Sequence, residues 1–419
     1  MKKILVFAAL LLTTTASTAA AEKTVSSPDG RLVVTITDNG GQAAYAVKYD
    51  GQTVLLPSRL GLVTDYADFS RDLTITQAEP SKTTYEYRMR QTKQSHVRVE
   101  AEKTTLTFRN AKGLEMAVCF QVSNNDVAYQ YRLLRPKKDN PKCAVVKSEV
   151  SSFRLPEGTT TFLCPQIGPM TGWERTKPSY EEDYKTDQPM TQRSQFGQGY
   201  TFPCLFKAPL SSPEGDKKAR DKKASPRGGL EGGLWVLISE TGVDGSYVGS
   251  HLSDFDPQHG YTIAFPQAGE NNGIGSATAG IPLPYSTPWR TITVGTTLKP
   301  IVETTIAYDV VKPKYTASQR YGTGRYTWSW LVWQDESINY QDQVQFVDLA
   351  AAMGYEYCLV DNWWDQRIGR DKIEELSRYA QQKGVSLMLW YNSNGYENDA
   401  PQTPRDCMST AIARDREMA

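Results

Sequence analysis

Histidine is scarce in this chain: three among 419 residues. So few imidazoles argue against a zinc centre built on histidine, and against an epimerase that needs a His and Glu pair. Neither sign of charge is in excess, with 47 Lys+Arg against 47 Asp+Glu, so a basic nucleic-acid binder is excluded. The six cysteines (119, 143, 164, 204, 358 and 407) show no CxxC metal spacing. Cys358 lies in an apolar stretch and reads as a buried thiol. There is no Gly-x-Ser-x-Gly elbow and no P-loop. After the first dozen residues no run is apolar enough to span a bilayer. What is present is 39% hydrophobic and 22% charged residues, enough for a folded protein with a sizeable core. The 23 Tyr and 9 Trp outnumber the 12 Phe. Such rings have a flat apolar face and a polar edge, which suits sugars and also ordinary sheets.

Residues 1–21 read as a signal peptide. Lys2 and Lys3 give a basic start, Ile4 to Leu12 an apolar run, and Ala19 to Ala21 a small-residue cleavage site. Export to the periplasm is the expectation, without a membrane or lipid anchor. Oxidation of some cysteines is then possible, but the sequence cannot pair them.

From 22 to 310 the hydrophobic period is two, as in Leu32, Val34 and Ile36. Ala44 to Tyr49, Asp50-Gly51 and Thr53 to Leu56 spell a hairpin. Further strands are expected at 85–90, 96–108, 114–134, 234–239, 261–265 and 290–298, making a large antiparallel sandwich. The Lys-, Ser-, Pro- and Gly-rich stretch 211–233 reads as a mobile solvated loop rather than a nucleic-acid arm. Asp254, Asp256 and His259 read as a surface turn around Pro257 and Gly260.

Residues 311–325 look like a linker, and the pattern changes after them. Strands are expected at 326–333, 355–360 and 385–390, apolar on both faces as in a covered parallel sheet. Helices are expected at 339–353, with Val344, Val347 and Ala351 inward, and at 371–383, with Ile373, Leu376 and Ala380 inward. Thr403-Pro404 would open a third helix. These are three βα units of a doubly wound sheet or a (β/α)8 barrel. A whole barrel takes about 250 residues, so 326–419 is expected to be an incomplete one.

In such sheets chemistry sits at the strands' carboxyl ends. There the sequence sets Trp330 and Asp335, then Asp361 and Trp363, then Trp390 and Asn392. Rings can stack on sugar C–H faces while Asp and Asn bond hydroxyls. The plainer alternative is that the Trp residues fill the rim and the acids cap helices. In the sandwich, Tyr180-Glu181-Glu182-Asp183-Tyr184 could supply a Ca2+ ligand. A solvated acidic turn is the simpler reading.

The opening SSPDGRLVVTI and YDGQTVLLPSRLGL, followed by YTWSWLVWQ and VDNWWD, resemble glycoside hydrolase family 97 along essentially the whole chain. The resemblance implies exported α-glycosidases with a galactose-mutarotase-like β-super-sandwich, a (β/α)8 barrel and an active-site Ca2+. It carries one Ca2+ ligand to Glu181, with Glu182 as the competitor. It places the catalytic carboxylates beyond residue 419, so none is expected here and this stretch alone should be inactive. Inverting members have a base Glu after the third strand, where this chain has Asn392. An amide cannot take a proton from water, so the resemblance favours a retaining α-galactosidase acting on oligosaccharides, with carboxyls about 5 Å apart. Glu397 or Asp399 nearby could still serve as a base. An inverting α-glucosidase and a non-catalytic glycan-binding protein remain as alternatives.

Overall fold

A computed structural model describes residues 21–90, 92–137, 141–168, 182–210, 232–270, 275–316, 318–319, 322–392 and 401–404. The signal peptide, Glu181, most of the 211–233 stretch, Glu397, Asp399 and the helix expected after Pro404 lie outside them.

The period-two segments form antiparallel sheets. Leu32–Thr37 buries Leu32, Val34 and Ile36 and leaves the residues between them half-buried, as a strand with one covered face should. It pairs with Glu22–Ser26 and Ala44–Tyr49, and Gln52–Arg59 completes a four-stranded sheet. The hairpin turn falls at Asp50-Gly51, where φ is +50° and +76°. Two positive φ values fit a type I′ turn, and Gly meets that need without strain.

This sheet lies on a 13-stranded antiparallel one, running from Thr74–Arg88 through Asp126–Leu133 and Trp289–Gly295 to Gly233–Thr241 and Tyr200–Pro209. Tyr45 of the small sheet meets Phe120 and Tyr129 of the large one at ring-centroid distances of 6.0 and 5.3 Å. Burial of each such aliphatic or aromatic side chain contributes roughly 1.5–3 kcal/mol. A three-stranded sheet, Leu62–Thr64 with Cys143–Glu149 and Ala279–Pro282, closes one end.

A buried clamp ties that sheet to the large one. Arg290 donates through Nε and Nη2 to the two oxygens of Glu149, at 3.0 and 2.7 Å. Its Nη1 donates to Glu240 and, at 2.8 Å, to Ser250 Oγ. The side chains of Arg290 and Glu149 are 1% and 0% exposed.

Asp126 carries a second buried charge. Its Oδ1 accepts hydroxyls from Thr293 at 2.5 Å and Thr304 at 2.8 Å. Burial pushes its pKa up to about 6 despite those donors, with Asp309 adding repulsion. The folded chain therefore holds this proton more tightly than the unfolded one. The contribution of this group to stability is fully present below about pH 4 and is lost as pH rises through about 6, by roughly 3 kcal/mol. Asp126→Asn should remove that slope and stabilise the protein at pH 7.5 by about 2 kcal/mol. Urea unfolding at pH 4.5 and 7.5 checks it; a variant less stable than wild type at pH 7.5 would refute the assignment.

Two short helices, Lys299–Glu303 and Ile306–Asp309, follow the last long strand, so the extended run ends at Gly295 rather than 298. Beyond them three strands, Tyr326–Trp328, Tyr357–Val360 and Ser386–Leu389, pair parallel and in sequence order. Helices Tyr340–Ala352 and Arg370–Gln382 connect them and touch each other, which puts both on one face. Asn339 caps the first helix by accepting from Asp342 N at 3.0 Å, and Gly354 stops it at φ +64°.

Two expectations need correction here. The first strand ends at Trp328; Trp330–Trp333 is a helical turn. Ser329 sets that turn, because its buried hydroxyl accepts from Ser337 Oγ at 2.8 Å and Gln343 Nε2 at 2.9 Å. The first helix turns Gln343, Phe346, Val347 and Ala350 inward, and only half-buries Val344 and Ala351. In Tyr357–Val360 all four side chains are apolar, with Cys358 and Val360 buried and Tyr357 and Leu359 half-buried. Burial pushes the Cys358 thiol up to about 11. Among the described residues the cysteines at 119, 143, 204 and 358 form no disulfide with one another.

Candidate functional site

The parallel register brings three strand ends side by side. Trp328 closes the first strand, Asp361 follows the second and Trp390 follows the third. Asp361 is 4% exposed. The Trp328 indole donates to its Oδ2 at 2.7 Å and Asn362 N to its Oδ1 at 2.6 Å. Burial raises its pKa, the two donors oppose this, and Asp335 adds to the rise. Each carboxylate oxygen keeps a lone pair for a further donor. The neighbouring Asn362 is also buried, and its Oδ1 has no donor among the described residues.

Several indoles share this rim. Trp330 stacks on Trp328 with centroids 5.7 Å apart and 22° between planes, and its indole donates to Asp335 Oδ1 at 2.9 Å. Trp363 is half-buried in a left-handed conformation, φ +65°. For a bulky residue this backbone is strained and is held by its surroundings; its amide donates to Thr403 O. Trp364 is the buried one of the pair and donates its indole to Trp390 O at 2.9 Å.

Asn392 lies at the same rim, buried, and ties down the segment 401–404. Its amide donates to Pro404 O at 2.8 Å and its Nδ2 to Gln402 O at 3.1 Å. Thr403 in turn donates to Asp365 Oδ1 at 2.7 Å. Trp330, Asp361, Trp363, Trp390 and Asn392 all follow the carboxyl ends of the three strands. The sequence does not reveal that Trp328 holds Asp361, a contact 33 positions apart, nor the open acceptor of Asn362.

Elsewhere, Asp256 accepts from the amides of Gln258 and His259, each at 2.8 Å, as a plain surface turn. Among the described residues no three His, Cys, Asp or Glu side chains gather as a metal cage. Glu182 is described; its carbonyl accepts from Cys164 Sγ at 3.4 Å.

Residues 25–212 and 225–313 match the family described as Glycosyl-hydrolase 97 N-terminal. The chain is 27% identical over 379 residues to a probable retaining alpha-galactosidase of Streptomyces bingchenggensis, covering 87% of this chain and 51% of that protein. It is 23% identical over 416 residues to a retaining alpha-galactosidase of Bacteroides thetaiotaomicron, covering 90% and 56%. The chain spans about half the length of the curated relatives it matches. Among solved structures it resembles a beta-arabinopyranosidase with a TM-score of 0.86 and 48% identity, over 94% of this chain and 59% of that one. A family 97 enzyme from Pseudoalteromonas sp. strain K8, solved with panose, has a TM-score of 0.68 at 20% identity, over 88% and 54% of the chains. At that identity the likeness is one of fold.

Proposed function

The chain belongs to glycosyl-hydrolase family 97, and from that premise we propose that it is part of an exported retaining glycosidase that removes α-galactosyl units from oligosaccharides. One observation carries the reading: a buried acid, Asp361, held by the Trp328 indole beside an open amide acceptor, with Trp330, Trp363 and Trp390 following the same strand ends. Acid and amide suit vicinal hydroxyls, and the indoles suit the C–H face of a pyranose. The names of two relatives point the same way. We read the three parallel units as an arc of a (β/α)8 barrel. No catalytic residue is assigned among those described.

Retention rests on Asn392. A neutral amide whose Nδ2 already bonds Gln402 O cannot act as the base that inversion needs. Proton NMR of the first sugar released by the complete protein tests this. Initial α-galactose is expected from an α-galactoside; initial β-galactose would reject retention.

A second substrate reading comes from the beta-arabinopyranosidase likeness. A β-L-arabinopyranoside has the ring configuration of an α-D-galactopyranoside without its hydroxymethyl group. Both therefore offer the same hydroxyls to Asp361. Comparing kcat/KM on the two nitrophenyl glycosides decides which is preferred, and turnover of neither would leave a glycan-binding protein.

Ca2+ is proposed from the family resemblance, with Glu181 as a ligand. When bound, such an ion would polarise sugar hydroxyls. Loss of activity on chelation and its return with added Ca2+ are expected, with weaker Ca2+ affinity in Glu181→Gln. Full activity in excess chelator would remove the ion from the scheme.

A further inference from the structure

The outer face of the large sheet carries a groove of about 480 Å3, lined by Thr160, Phe162, Thr186, Asp187, Lys207 and Trp235. That is within the range of small-ligand sites, roughly 300–1,000 Å3. Strand pairing builds it: Phe162 lies opposite Leu205 and Lys207 opposite Trp235, all on outward positions of Thr160–Pro165, Tyr200–Pro209 and Gly233–Thr241. Phe162 and Tyr184 stack with centroids 5.0 Å apart and 26° between planes, yet are 42% and 48% exposed. Lys207 Nζ rests 5.2 Å from the Trp235 ring centre. The Trp235 indole N–H is buried with no acceptor among the described residues.

Two large rings left open to water are unusual unless something covers them. Here the rings are bordered by the hydroxyls of Thr160 and Thr186, the carboxylate of Asp187 and an amine. Apolar faces with hydrogen-bonding edges match a pyranose, whose C–H faces are apolar and whose rim is hydroxylated. A protein partner would call for a broader apolar core.

We propose that this groove is a non-catalytic binding site for a neutral polysaccharide, holding the polymer whose end sugars are cut at the strand-end rim. The choice of glycan as ligand class rests on the glycosidase reading; the shape and exposure of the groove do not. An outward sheet face reads a chain along its length, whereas the rim, with its buried acid, reads a terminal sugar.

Galactomannan is the probe, since it is a neutral polymer whose branches end in α-linked galactose. Affinity electrophoresis of the 419-residue chain should show retardation. Phe162→Ala with Lys207→Ala, both groove-lining residues, should weaken it about tenfold while leaving the melting temperature near wild type. Trp363→Ala should leave most of it intact. In the complete protein the double variant should keep wild-type turnover of nitrophenyl glycosides and lose rate on the polymer. Absence of retardation, or retardation that the double variant retains, overturns the proposal. So does a fall in nitrophenyl turnover, or a dimer in sedimentation that the double variant dissolves. If wild type binds polymer through the groove but hydrolyses no glycoside, the glycosidase reading fails and the groove stands.

Discussion

Replacing Arg290 by Met should unfold this protein or cost it about 3–5 kcal/mol. The guanidinium sits between Glu149 and Glu240, and its removal leaves two carboxylates facing each other with Ser250 as a remaining donor. Glu149 is fully buried on Cys143–Glu149, while Glu240 and Arg290 lie on neighbouring strands of the large sheet. Burial alone would lower the Arg290 pKa, but the two carboxylates reverse this and hold it raised. The guanidinium therefore stays charged in the folded state. Removing one member costs far more than the net worth of the pair, because the survivors stay desolvated. The converse follows: Arg290→Met combined with Glu149→Leu and Glu240→Leu should recover much of the loss. Urea melts of the single and triple variants test the pair of claims. A single variant within about 1 kcal/mol of wild type would mean that water reaches the carboxylates.

That clamp also shows what a linear reading misses. Arg290 is 141 positions from Glu149 and 50 from Glu240, and no local pattern links them. The Asp50-Gly51 hairpin was legible because its cause is local: two residues that tolerate positive φ between two alternating strands. The helix Arg370–Gln382 was legible for the same kind of reason, with Ile373, Leu376 and Ala380 on one face as expected. Tyr326 to Trp333 misled because an aromatic run has the propensity of a strand. The bonds that fold it into a turn after Trp328 come from Ser337 and Gln343, on the following helical segments. The rim was readable as a composition, rings and acids at strand ends, but not as a geometry. Which indole holds which carboxylate depends on a register set by pairing between distant segments.

The same geometry leads to the larger effect on activity. In the complete protein, Asp361→Asn should lower kcat/KM on the preferred nitrophenyl glycoside by about a hundredfold, with little change in melting temperature. A hydrogen bond to a charged acceptor contributes about 1.5–3 kcal/mol, and about 1.4 kcal/mol is a factor of ten. Part of the loss would be indirect. An amide can still accept the Trp328 indole through its oxygen, but its NH2 then faces the Asn362 N–H, which bonds Asp361 Oδ1 in the wild type. Trp328→Phe separates the two contributions, since it keeps the carboxylate and removes only its indole donor. With that donor gone, the acid's raised pKa should rise further, because the indole bond opposes the effect of burial. The acid limb of its pH–rate profile should accordingly move to higher pH, whereas Asp361→Asn should lose the part of that limb due to this group. If Asp361→Asn lowers the rate less than about threefold, or leaves the acid limb where it was, the carboxylate is a cap for the rim and not an acceptor for the sugar.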